Sequence, residues 1–503
     1  MKHMPKRMAF GITAAISLTA SLLVSCSKKP GSSAGQATSA PLSGTPAQFY
    51  APRNLVFNVK YTSNTVRVDL PTAQKAIRSV SQDGRVVLFD ASDPRLAGLK
   101  QGDILLLEHL GVRRVLATQK QGSQIAVATG SPGLGDFIQD GRIEFSAPMD
   151  FHARHAQERW PANGNPLARL WNAIRLDGVV HAQQPCGNPE DAHMGLQLKG
   201  EVDEWEFEVE GEPEGDGLGL CLNAAKKLAA LTARIGINGE LENVSTAFKA
   251  AVSGGKVSEF EYSTPIEGKI KVTWAALTTG AGAGIGESRL KAPPWWKQVI
   301  DVDGIPFLLQ VNGNVIFKPG FGGAHDAAEG GFEASYNGSG GLSVHGAQTS
   351  QEGSMSGEPS LEKTTAESMA AHGVVVAVAA PKVALSIGTE SFEEALKEVA
   401  PQGFLDEAAE ALEKGPFASL FKTVKENFFN LEGAAYVQLV TEFDYAGSGP
   451  LSIVPCSMTH LNMTGQAGAD ATLLALKVES PHVDLFKVSK VNRDPDIDAC
   501  GQK

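Results

Sequence analysis

Phe307-Leu308-Leu309-Gln310-Val311-Asn312-Gly313-Asn314-Val315-Ile316-Phe317 is the stretch on which the fold turns. Phe307, Leu309, Val311, Val315 and Phe317 fall on alternate positions, with Gly313 in the same series. Gln310, Asn312 and Asn314 fall between them. A period of two sends the two sets to opposite faces of a strand, one dry and one wet.

The same pattern recurs on both sides of this stretch. Ile266, Ile270, Val272 and Trp274 alternate with Glu267, Lys269, Lys271 and Thr273. Trp205, Phe207 and Val209 alternate with Glu204, Glu206, Glu208 and Glu210, which predicts a half-buried strand with a solvated acidic side. Further strands are expected at Ala233–Ile237, Phe260–Tyr262, Phe332–Tyr336, Leu342–Val344, Val374–Ala379 and Val383–Ile387. The last ones are expected at Ala435–Phe443, Leu451–Val454, Thr459–Thr464 and Thr472–Val478. With 54 glycines and only 7% aromatics, the chain reads as mainly β with some α. The expected architecture is an antiparallel β-sandwich or barrel-like modules, with a few amphipathic helices packed on the sheet.

Helices are expected at Leu222–Leu231, from Ala224, Ala225, Leu228 and Leu231, and at Ser391–Val399, where Ser391 and Glu394 form a capping box. Leu405, Ala408 and Leu412 suggest another, and Phe417, Leu420, Phe421, Val424 and Phe428 make a helical apolar stripe. That stripe suits core packing first and a lipid-binding face second. Gln348–Ala366 is polar and reads as loop.

Nearer the start, residues 49–151 read as a small β-domain. Its strands are expected at Leu55–Tyr61, Val86–Phe89, Ile104–Glu108, Arg113–Gln119, Ile125–Thr129 and Arg142–Phe145, with a helical turn or two in Leu134–Gly141. Leu99-Lys100-Gln101-Gly102-Asp103-Ile104-Leu105-Leu106 resembles a β-turn module that recurs in bacterial surface proteins. That resemblance implies a structural role.

The chain opens with a basic head (Lys2, Lys6, Arg7) and an uncharged, mostly apolar run from Met8 to Val24. This is the build of a secretory signal peptide, and the run is short for a membrane span of about 20 apolar residues. It ends on Leu23-Val24-Ser25-Cys26, which resembles the lipobox of bacterial lipoprotein precursors. The resemblance implies that residues 1–25 are removed and that Cys26 carries acyl chains, palmitate among them. Ser27, by the same resemblance, points to the outer membrane. Residues 26–48 are rich in Ser, Gly, Ala, Pro and Thr, the composition of a flexible tether.

Four further cysteines, Cys186, Cys221, Cys456 and Cys500, suit two disulfides in an exported chain. Three connectivities exist. Cys186–Cys221 with Cys456–Cys500 is preferred because each closes a moderate loop. Zinc is the weaker reading, since no Cys-x-x-Cys pair is present.

Acidic residues outnumber basic ones by 56 to 44, for a formal net charge of −12. Such a chain is repelled by phosphate backbones, so nucleic acid is not an expected partner. The nine acidic residues of Glu201–Asp216 could suit calcium, yet their spacing matches no EF-hand loop. His152 and His155 lack a third metal ligand in sequence. Gly280–Gly286 has neither a GxGxxG spacing nor a Walker lysine. Trp295 and Trp296 either stack on sugars or lipid when exposed or, more commonly, pack at a strand start.

The division expected is a signal peptide at 1–25, the lipidated Cys26 with its tether to 48, and the β-domain at 49–151. A helical connector follows at 152–181, then a large antiparallel β-region at 182–390 and a mixed α/β part at 391–503. No catalytic motif and no cofactor site is legible. The function expected is a non-catalytic, membrane-anchored lipoprotein of the cell envelope that binds a partner. A lipid or other hydrophobic ligand is one candidate, supported by an outline resemblance to tubular lipid-binding and lipoprotein-localisation folds. An adhesive role on envelope proteins or glycans is the second. A carboxylate-dependent hydrolase of envelope polymers is the third.

Overall fold

The computed structural model describes residues 50–81, 85–151, 196–202, 205–214, 216–228, 231–278, 288–291, 294–321, 326–367, 372–388, 434–448, 456–470, 473–474 and 481–494. Among them strand outweighs helix by 78% to 5%, so the protein is mainly β with some α.

The N-terminal part contains β1 (Arg53–Tyr61), β2 (Thr65–Val68), α1 (Leu70–Ala76), β3 (Ile77–Val80), β4 (Val86–Asp90) and α2 (Pro94–Ala97). It continues with β5 (Ile104–Leu107), β6 (Gly111–Gln121), β7 (Gln124–Gly130), α3 (Leu134–Phe137) and β8 (Ile138–Pro148). Next come β9 (Leu196–Val202), β10 (Trp205–Glu214), β11 (Gly217–Leu228), β12 (Leu231–Glu242), β13 (Ser245–Ser253) and β14 (Lys256–Thr278). Then follow β15 (Ser288–Lys291), β16 (Trp296–Val302), β17 (Ile305–Phe321), β18 (Ala327–His345), β19 (Gln348–Leu361) and β20 (Thr365–Glu367). The last described strands are β21 (His372–Ile387), β22 (Ala434–Gly447), β23 (Ser457–Ala469) and β24 (His482–Asp494).

Three sheets result. The largest has eleven strands along the order β1-β8-β13-β14-β12-β11-β10-β9, with β18 pairing β14 and carrying β19 and β20. The second has seven strands in the order β15-β17-β21-β22-β23-β24, with β16 on β17. The third has six, β2-β5-β6-β7-β4-β3, and holds the parallel pair β2–β5.

The first two sheets share one apolar interior. Phe307 of β17 lies 5.1 Å from Phe145 of β8 and 5.3 Å from Phe248 of β13, ring centre to ring centre. Further along, Phe443 of β22 meets Trp274 of β14 at 5.6 Å and Phe332 of β18 at 5.8 Å. These inward rings are the alternating residues of the sequence, and they fill the space between the sheets. Phe307, Leu309, Val311, Val315 and Phe317 are all buried there, as their spacing predicts.

The six-stranded sheet is an insertion between β1 and β8. Those two strands bracket residues 49–151 in sequence but pair with each other and, through β13, enter the eleven-stranded sheet. The inserted sheet has its own core around Val68, Phe89, Leu105, Leu107 and Val127. Its other face does not stand free. Ile104, Leu106, Val112, Leu134 and Phe137 join the interior of the two large sheets. At a second point His109 Nδ1 lies 2.9 Å from Asp301 Oδ1, near the end of β16.

Several expectations are corrected. No helix forms at Leu222–Leu231; that stretch ends β11 and begins β12. Ala, Leu and Lys favour helix intrinsically, but β11 is paired on both sides, by β10 and β12, and the pairing outweighs propensity. Gln348–Ala366 is not loop: β19 pairs with β18 from Phe332↔Leu361 to His345↔Gln348. Its side chains stay polar because almost all of them face solvent, Met355 excepted. Leu473 and Leu474 lie in a turn and not in a strand. The expected helices between residues 152 and 181 and between 391 and 428, the strand at Leu451–Val454 and the loop Gly280–Gly286 lie outside the described residues, as do His152 and His155.

Candidate functional site

The outward face of the eleven-stranded sheet holds the candidate site. Register carries one row of side chains across six strands: Glu212 of β10, Gly219 of β11, Glu240 of β12, Lys269 of β14, Ser335 of β18 and Glu358 of β19. The adjacent row is Glu210, Cys221, Asn238, Lys271, Glu333 and Ser360 on the same strands. Side chains two apart on a strand share a face, so the two rows stand side by side.

Between these rows lies a cleft of about 890 Å³, with Lys490 of β24 on its rim. A second hollow of about 530 Å³ shares Glu240, Lys269, Ser335 and Glu358 with it and continues towards Glu242, Glu267 and Asn337. Each hollow is of the size of a ligand site, and Leu220, Ile270 and Ala334 stand in the larger one beside its charged residues.

Charges in the cleft are partly matched. Lys269 Nζ lies 3.3 Å from Glu240 Oε1. Lys271 contacts Glu362 directly and stands 3.6 Å from Glu333. The hydrogen bond to Glu362 holds the Lys271 ammonium above its ordinary pKa. These pairs are half exposed, so they order side chains more than they stabilise the fold.

The acidic side of β10 is a correction. Glu208 and Glu210 are 2% and 5% exposed, so the middle of that strand's outward face is covered and not solvated. On the same face Arg234 is buried as well, and burial pulls its guanidinium down to about 10 against the opposing pull of Glu329.

Of the cysteines singled out in the sequence, Cys221 sits on the cleft wall and Cys456 just before β23, and both are disulfide-bonded. Cys26, Cys186 and Cys500 lie outside the described residues, so no pairing is described. Trp295 and Trp296 are buried, which removes them as a platform for sugars or lipid. Trp295 donates from Nε1 to the carbonyl of Cys221 at 2.9 Å, tying the β16 side of the interior to the strand that forms the cleft wall.

A different set of groups could hold a metal ion by spacing alone. Glu259, Glu261 and His345 bring ligand atoms within 4.8 Å of one another. Lys249 already occupies that cluster, contacting Glu259 and lying 2.9 Å from Glu261. An ammonium group therefore already stands between the two carboxylates where an ion would have to sit.

The fold and site define a two-sheet β-protein with an outward polar cleft and a docked, inserted β-module. A family described as a domain of unknown function (DUF8403) matches residues 48–140. That span takes in β1, the six-stranded sheet and the start of β8; the cleft lies outside it. No curated protein and no solved structure matches the chain.

Proposed function

We propose that this protein is a lipid-anchored lipoprotein of the bacterial cell envelope that works by binding, without catalysis, through its outward cleft. In this reading residues 1–25 are removed, Cys26 carries acyl chains, and the tether to residue 48 holds the β-region off the membrane. By its resemblance to lipoprotein sorting signals, Ser27 supports the outer membrane as its location. Acyl chains contribute about 0.8 kcal/mol per buried methylene, so several on one residue keep the protein at the bilayer. Disulfides Cys186–Cys221 and Cys456–Cys500 belong to the same reading.

One observation carries the choice of partner. The described interior is occupied by rings and aliphatic side chains, whereas the cleft lies on the outward face and is lined by five glutamates and three lysines. This supports an envelope protein or glycan over a lipid or other hydrophobic ligand. A hydrolase is less well supported, because Glu240 and Glu333 of the cleft are tied to Lys269 and Lys271.

The test is palmitate labelling and membrane fractionation of the wild type beside Cys26→Ser. Label and membrane association confined to the wild type support the anchor. Equal membrane association of an unlabelled variant overturns it.

A further inference from the structure

The cleft is long. From β10 to β19 there are five strand-to-strand steps of about 4.8 Å, or about 24 Å in all. Its two ends carry Glu212 and Glu358, both exposed, with no ion pair among the described residues.

Between the ends Lys269 is engaged by Glu240 and Lys271 by Glu362 and Glu333, while Lys490 stands on the rim. The five glutamates of the lining outnumber its three lysines. A single metal ion cannot answer both ends, since its oxygen ligands must converge within about 2.6 Å of one point. No Trp, Tyr or Phe lines the larger hollow, which leaves a sugar ring nothing to stack on.

We propose that the cleft binds an extended chain bearing several ammonium groups, long enough to reach Glu212 and Glu358 together. This rests on the binding reading above and names its ligand class. Each ammonium meets a carboxylate, and the chain lies across the strands with its backbone over Gly219 and Ser335. A lysine-rich polypeptide segment and a polyamine share this chemistry. They differ in reach: eight extended residues span about 26 Å.

The experiment uses the full chain in detergent and the anisotropy of labelled octalysine, with spermine, octaglutamate and a chitosan oligomer as competitors. Octalysine is expected to bind and spermine to compete weakly. Glu212→Lys and Glu358→Lys are each expected to weaken octalysine, and the double variant by about tenfold or more. Glu352→Lys makes the same charge change about 20 Å along β19 and is expected to alter binding less than twofold. Equal weakening by Glu352→Lys, or none by the double variant, overturns the proposal by showing attraction to net charge alone. Spermine binding as tightly as octalysine overturns the requirement for reach. Octaglutamate binding that the double variant abolishes overturns the cationic ligand while leaving the cleft as a binding site; failure of every probe overturns both.

Discussion

Trp295 rests its six-membered ring where Gly313 has no side chain. A Cβ at Gly313 would stand 2.7 Å from that ring and 2.9 Å from the Cβ of Ala380. Both neighbours are buried and cannot step aside. Gly313→Val is therefore expected to destabilise the protein by about 1–3 kcal/mol, the usual cost of overpacking, read as a lower urea midpoint. An unchanged midpoint would mean that the ring has another place to go. Asp444 of β22 gives a pH signature. Burial raises its carboxyl pKa, Glu442 adds to the rise, and His460 opposes it. A raised carboxylate pKa means that the folded state holds the proton more tightly. The stability it contributes is complete at low pH and is lost as pH climbs through the folded value. Asp444→Asn is expected to raise the unfolding midpoint at about pH 7 and to leave it unchanged at about pH 3, and thermal melts at the two pH values check it. Single residues divided the sequence reading sharply. The inward set at Phe307–Phe317 was legible because burial follows alternation. The covering of Glu208 and Glu210 was not, because what lies over a strand's outward face leaves no trace in that strand's own period.

Among elements, β19 shows how a strand can look like a loop. Ser, Gly, Gln and Glu dominate it, and its place comes from backbone pairing to β18 and from one seat against the other sheet. There Phe486 of β24 packs where Gly357 of β19 and Gly465 of β23 have no side chains. A Cβ on Gly357 would lie 2.7 Å from that ring. Phe486→Ala is expected to cost about 2–4 kcal/mol, somewhat less than a fully buried Phe, because the ring is only partly buried. The loss should be uneven. Hydrogen exchange should accelerate most in Gln348–Leu361 and His482–Asp494, with β12 and β14 protected as before. Uniform acceleration would deny β19 its dependence on this seat. The mistaken helix at Leu222–Leu231 has the opposite cause. Its residues are good helix formers, and only pairing with the strands on either side, β10 and β12, makes it β.

For the whole molecule, the inserted module is bound to the large sheets by its outer face. Leu106 is buried in the shared interior, whereas Leu105 is buried in the module's own core. No tryptophan lies between residues 62 and 137, so all tryptophan emission arises outside the module, four of the six rings (Trp205, Trp274, Trp295 and Trp296) lying in the shared interior of the large sheets. Leu106→Ala is nevertheless expected to lower the emission-detected stability by about 2–4 kcal/mol. A transition left unmoved would show a module that is merely tethered. The strands of residues 49–151 were legible because short apolar runs such as Val86–Phe89 and Ile104–Leu107 stand between turn signals. Their division into a flanking pair and an inserted sheet was not, because β1 finds its partner in β8, 77 to 93 positions downstream. The cleft was hidden for the same reason: Glu212, Glu240, Lys269 and Glu358 become neighbours only through register.

The insertion also orders events in time. β1 is synthesised before the module, yet Tyr61 meets Ile138 only after the module has been made. Closing that stretch as a random coil carries an entropy penalty that grows by about 0.6 kcal/mol with each doubling of length. A module that assembles first, with Thr62 N donating to the carbonyl of Phe137 at 2.9 Å, has already brought the two ends together. The earliest strand of the great sheet is thus recruited late, and the piece that interrupts it is the clasp that lets it close.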